Sequence, residues 1–183
     1  PDELVFIDKK KTENTVLRII DYDKNNLEET SINSIQEALA YQEKKSTTWF
    51  NVDGIDQTAI MQGIADGFQF DNFIIADVMN THSRPKVIEH DNCLFLSIKM
   101  LQVSETRNLI SFENLSLILT KSVLISFQEK VGDVFEPVRN RIRKQKKRIR
   151  SSGPDYLLFA LLDIVVDNYI YILSVLGEKI ENL

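Results

Sequence analysis

Asp163 and Asp167 stand four residues apart in a long apolar run, so a helix there carries both carboxylates on one face. Two like charges one turn apart repel by roughly a few tenths of a kcal/mol when exposed, and by more when desolvated. Something favourable should therefore offset them, and two chemistries would serve. One is a hard divalent cation: magnesium prefers oxygen ligands, holds octahedral geometry and keeps several waters, so one or two carboxylates per element suffice. The other is a solvated acidic face neutralised by Arg or Lys from the preceding helix. The residues alone leave both open.

The densest basic block is Arg139 to Arg150, RNRIRKQKKRIR. A nucleic-acid surface would interleave aromatics to stack on bases, and none interrupts this block. A net charge of -5 also argues against a general nucleic-acid binder. The block reads instead as a solvent-exposed helix whose charge complements its own C-terminal end, with anionic lipid headgroups as a lesser alternative. His82 and His90 flank Arg84-Pro85 and read as hydrogen-bonded loop residues rather than metal ligands. Cys93 is the single cysteine, which excludes an intramolecular disulfide framework and a Cys-rich zinc site and fits a reducing compartment. There is no Walker loop, dinucleotide fingerprint, HExxH or calcium loop. A magnesium-dependent hydrolase on Asp163 and Asp167 would lack a nucleophile and a phosphate cradle, so the chain reads as no enzyme.

The elements that would position these residues follow from patterning. Strands are expected over Thr15–Tyr22, Thr48–Val52, Lys86–His90, Cys93–Val103, Leu109–Thr120 and Ser122–Gln128, with Asp23–Glu29 as a polar connection and Trp49 and Phe50 in the core. Ser34 and Glu37 have capping-box spacing. Asp56 should cap a helix carrying Ile60, Ile64 and Phe68, and a short helix should run from Asp71 to about Met79. Gly132-Asp133 opens a helix with Phe135, Val138, Ile142 and Ile149 on one stripe. Ser151 to Gly153 turns the chain, and a long helix starting at Pro154 returns antiparallel with Leu158, Leu162, Val165, Tyr169 and Leu173 as its apolar stripe. Helices before and after a run of strands imply layers. The expected fold is α/β, a three-layer α-β-α sandwich with a mixed sheet, one domain over 1–183 ending in a helical hairpin at 133–183. The N-terminus has no signal-peptide pattern, and Asp163, Asp167 and Asn168 break the most apolar run, so no membrane span is expected. The last helix keeps its pattern to Leu183 without a cap, which reads as a piece of a longer chain.

The strings TWFNVDGI at Thr48 to Ile55, HSRPKVI at His82 to Ile88, LSLILTKSVLISFQEKVGDVFEPVRNRIR at Leu115 to Arg143 and DYLLFALLDIVVDNY at Asp155 to Tyr169 resemble the cytoplasmic domain of CorA-type magnesium/cobalt transporters. The match is weak over residues 1–46. The resemblance implies a homopentameric channel at the cytoplasmic face of the inner or plasma membrane. In that family an N-terminal α/β domain feeds a stalk helix, two membrane spans and a Gly-Met-Asn pore signature. It also implies a regulatory Mg2+, with Co2+ as a second candidate, bound between subunits and favouring the closed state. By position, Asp77 in IIADVMN and Asp163 in LLD match acidic sensor residues, and Asp167 matches the following family aspartate. Ala76 stands where related sequences can have glutamate, a departure that bears on a second cation site. The alternatives are a zinc transporter sharing this domain plan, or a soluble binding module using the basic helix 139–150 with steep salt dependence; no nucleic-acid partner is expected.

Overall fold

A computed structural model describes residues 15–104, 109–146 and 148–181. Its centre is a seven-stranded sheet in the order β2-β1-β3-β7-β6-β5-β4. The strands are β1 (Val16–Tyr22), β2 (Leu27–Ile32), β3 (Thr47–Asp53), β4 (Lys86–Glu89), β5 (Leu94–Ser104), β6 (Leu109–Leu119) and β7 (Val123–Gln128). All neighbours are antiparallel except β3 and β7, which run parallel with Trp49 beside Leu124 and Asp53 beside Gln128. The sheet is therefore mixed, as expected. Every residue of β3 and of β7 is buried, the mark of inner strands covered on both faces.

Strand alternation sends successive side chains into two separate cores. On one face, Phe50, Val52, Ile118, Ile125 and Phe127 meet Met61, Ile64, Phe68, Ile74, Ile75 and Val78. These helical residues come from α2 (Thr58–Phe68) and α3 (Asn72–Met79), with α1 (Ile35–Leu39) beside them. On the other face, Ile20, Trp49, Leu115, Leu117 and Leu124 meet Phe135, Val138, Ile142, Leu157, Leu161 and Val165. These helical residues belong to α4 (Glu136–Arg143), the residue before it, and α5 (Pro154–Glu181). Trp49 and Phe50, adjacent in sequence and both fully buried, thus anchor opposite cores.

Three local expectations change. The connection after β1 contains a strand: Leu27–Ile32 pairs antiparallel with β1 at the sheet edge, where only one face needs apolar residues. Asp56 does not cap α2, whose N-cap is Gln57 without a side-chain bond, whereas Asp71 accepts from Phe73 N at 2.9 Å and caps α3. The helix after Gly132 is short, ending at Arg143, and Gln145 has a positive φ of 50°. Ile149 still lies in the expected stripe with Phe135, Val138 and Ile142, but on a separate 3-10 turn at Ile149–Ser151.

By length and composition, Pro154–Glu178 would suffice to cross a membrane, with mean hydropathy 1.8. In this structure its first half packs on the sheet through Leu157, Leu161 and Val165. Asn168 and Tyr169 then donate to the backbone carbonyls of Leu101 and Lys99, covering the part of β5 that extends past β4. The expected apolar stripe holds at Leu158 and Val165 but fails at Leu173, which is 67% exposed.

Candidate functional site

The three carboxylates singled out in the sequence do not converge within one chain. Asp77 projects from α3, whose Ile74, Ile75, Val78 and Met79 belong to the α1–α3 core. Asp163 and Asp167 project from α5, whose inward residues belong to the opposite core. The whole sheet separates them. Among the described residues no group of three or more His, Cys, Asp or Glu side chains is placed to hold a metal ion.

Each carboxylate has its own electrostatic setting. Asp77 Oδ2 lies 2.7 Å from Lys86 Nζ, at the edge strand β4, with both side chains about one-third exposed. A cation arriving there would compete with the lysine. Asp163 Oδ2 lies 3.8 Å from Arg141 Nη1, a loose pair that leaves the carboxylate open to solvent. Asp167, one turn on, is exposed. The neutralisation by a basic residue of the preceding helix is thus realised for Asp163, through Arg141.

The basic block is only in part the solvated face its composition suggests: Arg143, Lys144, Lys146 and Arg148 are exposed. Arg139 and Arg150 are buried. Arg139 forks onto Asp133 at 2.7 and 2.5 Å, donates to Asn51 Oδ1 at 3.0 Å and stacks over the Trp49 ring with its guanidinium carbon 4.8 Å from the centroid. Arg150 donates to the carbonyls of Asp23, Asn26 and Ile142. Arg143 bonds Glu29 of β2 at 2.7 and 2.8 Å and Glu136 at 2.5 Å, and this hydrogen bonding holds the Glu29 carboxyl below its ordinary range. Three arginines of the block therefore clamp α4 and its exit to the sheet, and Arg141 reaches only loosely toward α5. A salt-sensitive binding surface would have to be made from Lys144, Lys146 and Arg148, the exposed remainder among the described residues.

Sequence reasoning missed a buried polar row at the C-terminal ends of β3 and β7. Asp53 is fully buried, paired with Arg18 at 2.7 Å and accepting from Asn51 at 2.6 Å, and desolvation raises its carboxyl despite Arg18. Gln128 stands beside it, and Glu113 lies diagonally beyond on β6. A signal existed: Asp53 has the parity of Trp49, and Glu113 that of Leu115 and Leu117, so both acids occupy inward positions of their strands. His82 Nδ1 sits 3.4 Å from the Thr81 hydroxyl, and His90 closes the β4–β5 hairpin through its backbone N–H to the Cys93 carbonyl.

A family model described as "CorA-like Mg2+ transporter protein" matches residues 44–183. The chain is 34% identical over 183 residues to the cobalt/magnesium transport protein CorA of Thermotoga maritima, and this alignment also runs through residues 1–46. It covers 100% of this chain and 52% of that protein, so the chain spans about half the length of its curated relative. Among solved structures, the soluble domain of CorA from Methanocaldococcus jannaschii superposes with a TM-score of 0.64 at 14% identity, covering 91% of this chain and 62% of that one. The cytoplasmic domain of ZntB from Vibrio parahaemolyticus gives 0.65 at 13% identity, covering 91% and 64%. At these identities the structural likeness speaks to the fold alone.

Proposed function

Because the chain belongs to the CorA-like Mg2+ transporter family, we propose that it is the cytoplasmic sensing domain of a divalent-cation channel. In this reading Mg2+, or Co2+, binds between neighbouring copies in a homopentamer at the membrane and favours the closed state. Asp77, Asp163 and Asp167 supply carboxylate ligands. The observation that carries it is their separation: Asp77 and the α5 pair lie on opposite faces of one sheet, so a cation bridging them needs a second copy or another segment. Magnesium suits partial sites of this kind, because it keeps several of its waters and takes one or two carboxylates from each contributor. The coupling is electrostatic. Facing carboxylates repel without the cation and cohere with it, so occupancy sets how tightly neighbours pack.

The pairs already present set a threshold. Lys86 satisfies Asp77 at 2.7 Å, so cation binding there must displace an ammonium, which favours a site that fills only at high free magnesium. Ala76 contributes no oxygen beside it. The likeness to a ZntB domain favours a second reading, the same sensing domain in a zinc transporter. Exposed aspartates without Cys or His partners suit magnesium better than zinc.

Sedimentation of the chain with and without 20 mM MgCl2, against NaCl of equal ionic strength, tests the reading. Magnesium-specific self-association that is lost in Asp77→Ala and Asp163→Ala supports it. Association that is equal in salt, or unchanged by both substitutions, rejects these ligands. ZnCl2 acting at far lower concentration through the same residues would favour the zinc reading.

A further inference from the structure

Lys99 is held from both sides of the sheet. It lies in the stretch of β5 that runs past β4, and there the Tyr169 hydroxyl of α5 donates to its backbone carbonyl. Its side chain goes the other way. Four residues from Phe95 and so on the α1–α3 face, it donates through Nζ to Thr81 O at 3.1 Å, with the ammonium 5.6 Å from the centroid of the Phe112 ring. Asn114, its partner across the ladder on β6, donates through Nδ2 to Asn80 O at 2.9 Å. Asn80 is the C-cap of α3, and its own N–H bonds back to the carbonyls of Ala76 and Asp77.

Tyr169 follows Asp167 by two residues on α5, and Asn80 follows Asp77 by three at the end of α3. The carboxylates that the sheet separates are thus joined through β5. We infer that Lys99 is a positioning residue that couples Asp77 to the α5 pair: its carbonyl fixes α5 and its ammonium fixes the loop that ends α3, so a displacement of either helix is felt by the other. For its meaning this rests on the sensing role proposed above. A cation that bridges Asp77 of one copy to α5 of the next makes a head-to-tail contact, and such contacts close into a ring. Each copy then lends Asp77 to one neighbour and Asp163 and Asp167 to the other. Through Lys99, a cation filling one interface acts on the next, and linkage makes the effect reciprocal.

The parts of this tie leave little slack. β5 is paired with β6 from Leu94 to Ser104, so Lys99 sits inside a continuous ladder and moves with it. Asn168 donates to Leu101 O, two residues from Lys99, so α5 grips this strand twice. On the other side the ammonium carries a full charge to the Thr81 carbonyl, and hydrogen bonds from an ionised donor are stronger than neutral ones. Asn114 is 2% exposed, which shields the second grip from water. Asp77 also meets β5 by way of Lys86, whose ladder partner is Ser97.

The experiment compares the chain with Tyr169→Phe, which deletes only the hydroxyl on the α5 side, by amide NMR and hydrogen exchange without divalent cations. Two amides across the sheet report the outcome. The His82 N–H shares a peptide group with the Thr81 carbonyl that Lys99 holds, and the Asn80 N–H closes α3. Tyr169→Phe should shift the His82 resonance and speed Asn80 exchange on the order of threefold, within what one hydrogen bond contributes. In a Lys99→Met background the same substitution should leave His82 in place; Lys99→Gln stands in if Lys99→Met does not fold. Silence at His82 overturns the tie, and silence at Asn80 overturns its reach to α3. An Asn80 change matched by the Phe70 amide, bonded to Ala65 at the end of α2, is general loosening and overturns it as well. A His82 shift that survives the loss of the ammonium overturns the role of Lys99. Silent amides reject the coupling and leave the magnesium ligands standing, whereas failure of magnesium-specific association rejects those ligands and leaves the coupling.

Discussion

The two faces of the sheet solve the same burial problem differently. The α1–α3 face is filled by apolar side chains and aromatic stacking, with Phe68 between Phe50 and Phe70 at centroid distances of 6.2 and 5.5 Å. The α4–α5 face begins the same way around Trp49 and Leu124. It then gives over its far end to Arg18, Asn51, Asp53, Glu113, Gln128, Asp133 and Arg139. An apolar face asks only for volume and shape, and related side chains can substitute. A buried polar face asks for particular partners, because each group left alone incurs its full desolvation cost. The second face is therefore the one whose stability depends on particular polar partners.

The comparison is broken most strongly in the apolar core. Phe50→Ala should lower unfolding free energy by about 4 kcal/mol, read from the urea midpoint at constant slope. Arg139→Met should cost about 3 kcal/mol, because it strands Asp133 in a buried position, whereas Arg139→Met with Asp133→Leu should recover part of the loss. If the double substitution is as unstable as the single one, the cost lies in the Trp49 contact and not in the stranded charge. Arg143→Ala, at the half-exposed bridge to Glu29 and Glu136, should cost at most about 1 kcal/mol. Because the Glu29 carboxyl is lowered on folding, its contribution is present above about 4.5 and is lost as pH falls through the folded value. The acid limb of the stability curve should flatten slightly in that variant. Leu173→Ser should change stability by less than about 0.5 kcal/mol, whereas Leu161→Ala, three turns earlier on the same helix and fully buried, should cost about 3 kcal/mol.

Period-two runs with branched residues locate β1, β3, β5, β6 and β7, and the chain turns between hairpin partners at Asp91-Asn92 and at Lys121-Ser122. β2 was hidden because LEETSI is an edge strand whose polar residues face water. The three-layer arrangement followed from element order. The site was legible unevenly. Asp163 and Asp167 announce themselves by spacing, whereas Asp77 sits in a helix that otherwise reads as core and emerges only through family resemblance. The arginine block misled because composition does not report partners: Glu29, Asp133 and the carbonyls of Asp23 and Asn26 are distant in sequence or unremarkable in type. The leading half of α5 behaves as its periodicity predicts, but no pattern within the helix reveals where the sheet beneath it stops.

The single parallel pairing, β3 with β7, also has a kinetic meaning. β1, β2 and β3 form one antiparallel group with β1 in the middle, and β4 to β7 form a meander, so the strands within each group lie nearer to one another in sequence than β3 and β7 do. The two meet only along that seam, where Trp49 Nε1 donates to Ser126 Oγ across 77 residues of chain. Zipping such a distant pair requires closing a long loop before any contact rewards it. The chain should thus collapse as two half-sheets and commit to its native state when Trp49 finds β7, making that seam the slow step of folding and the point where a partly folded chain exposes two unpaired strand edges to its neighbours.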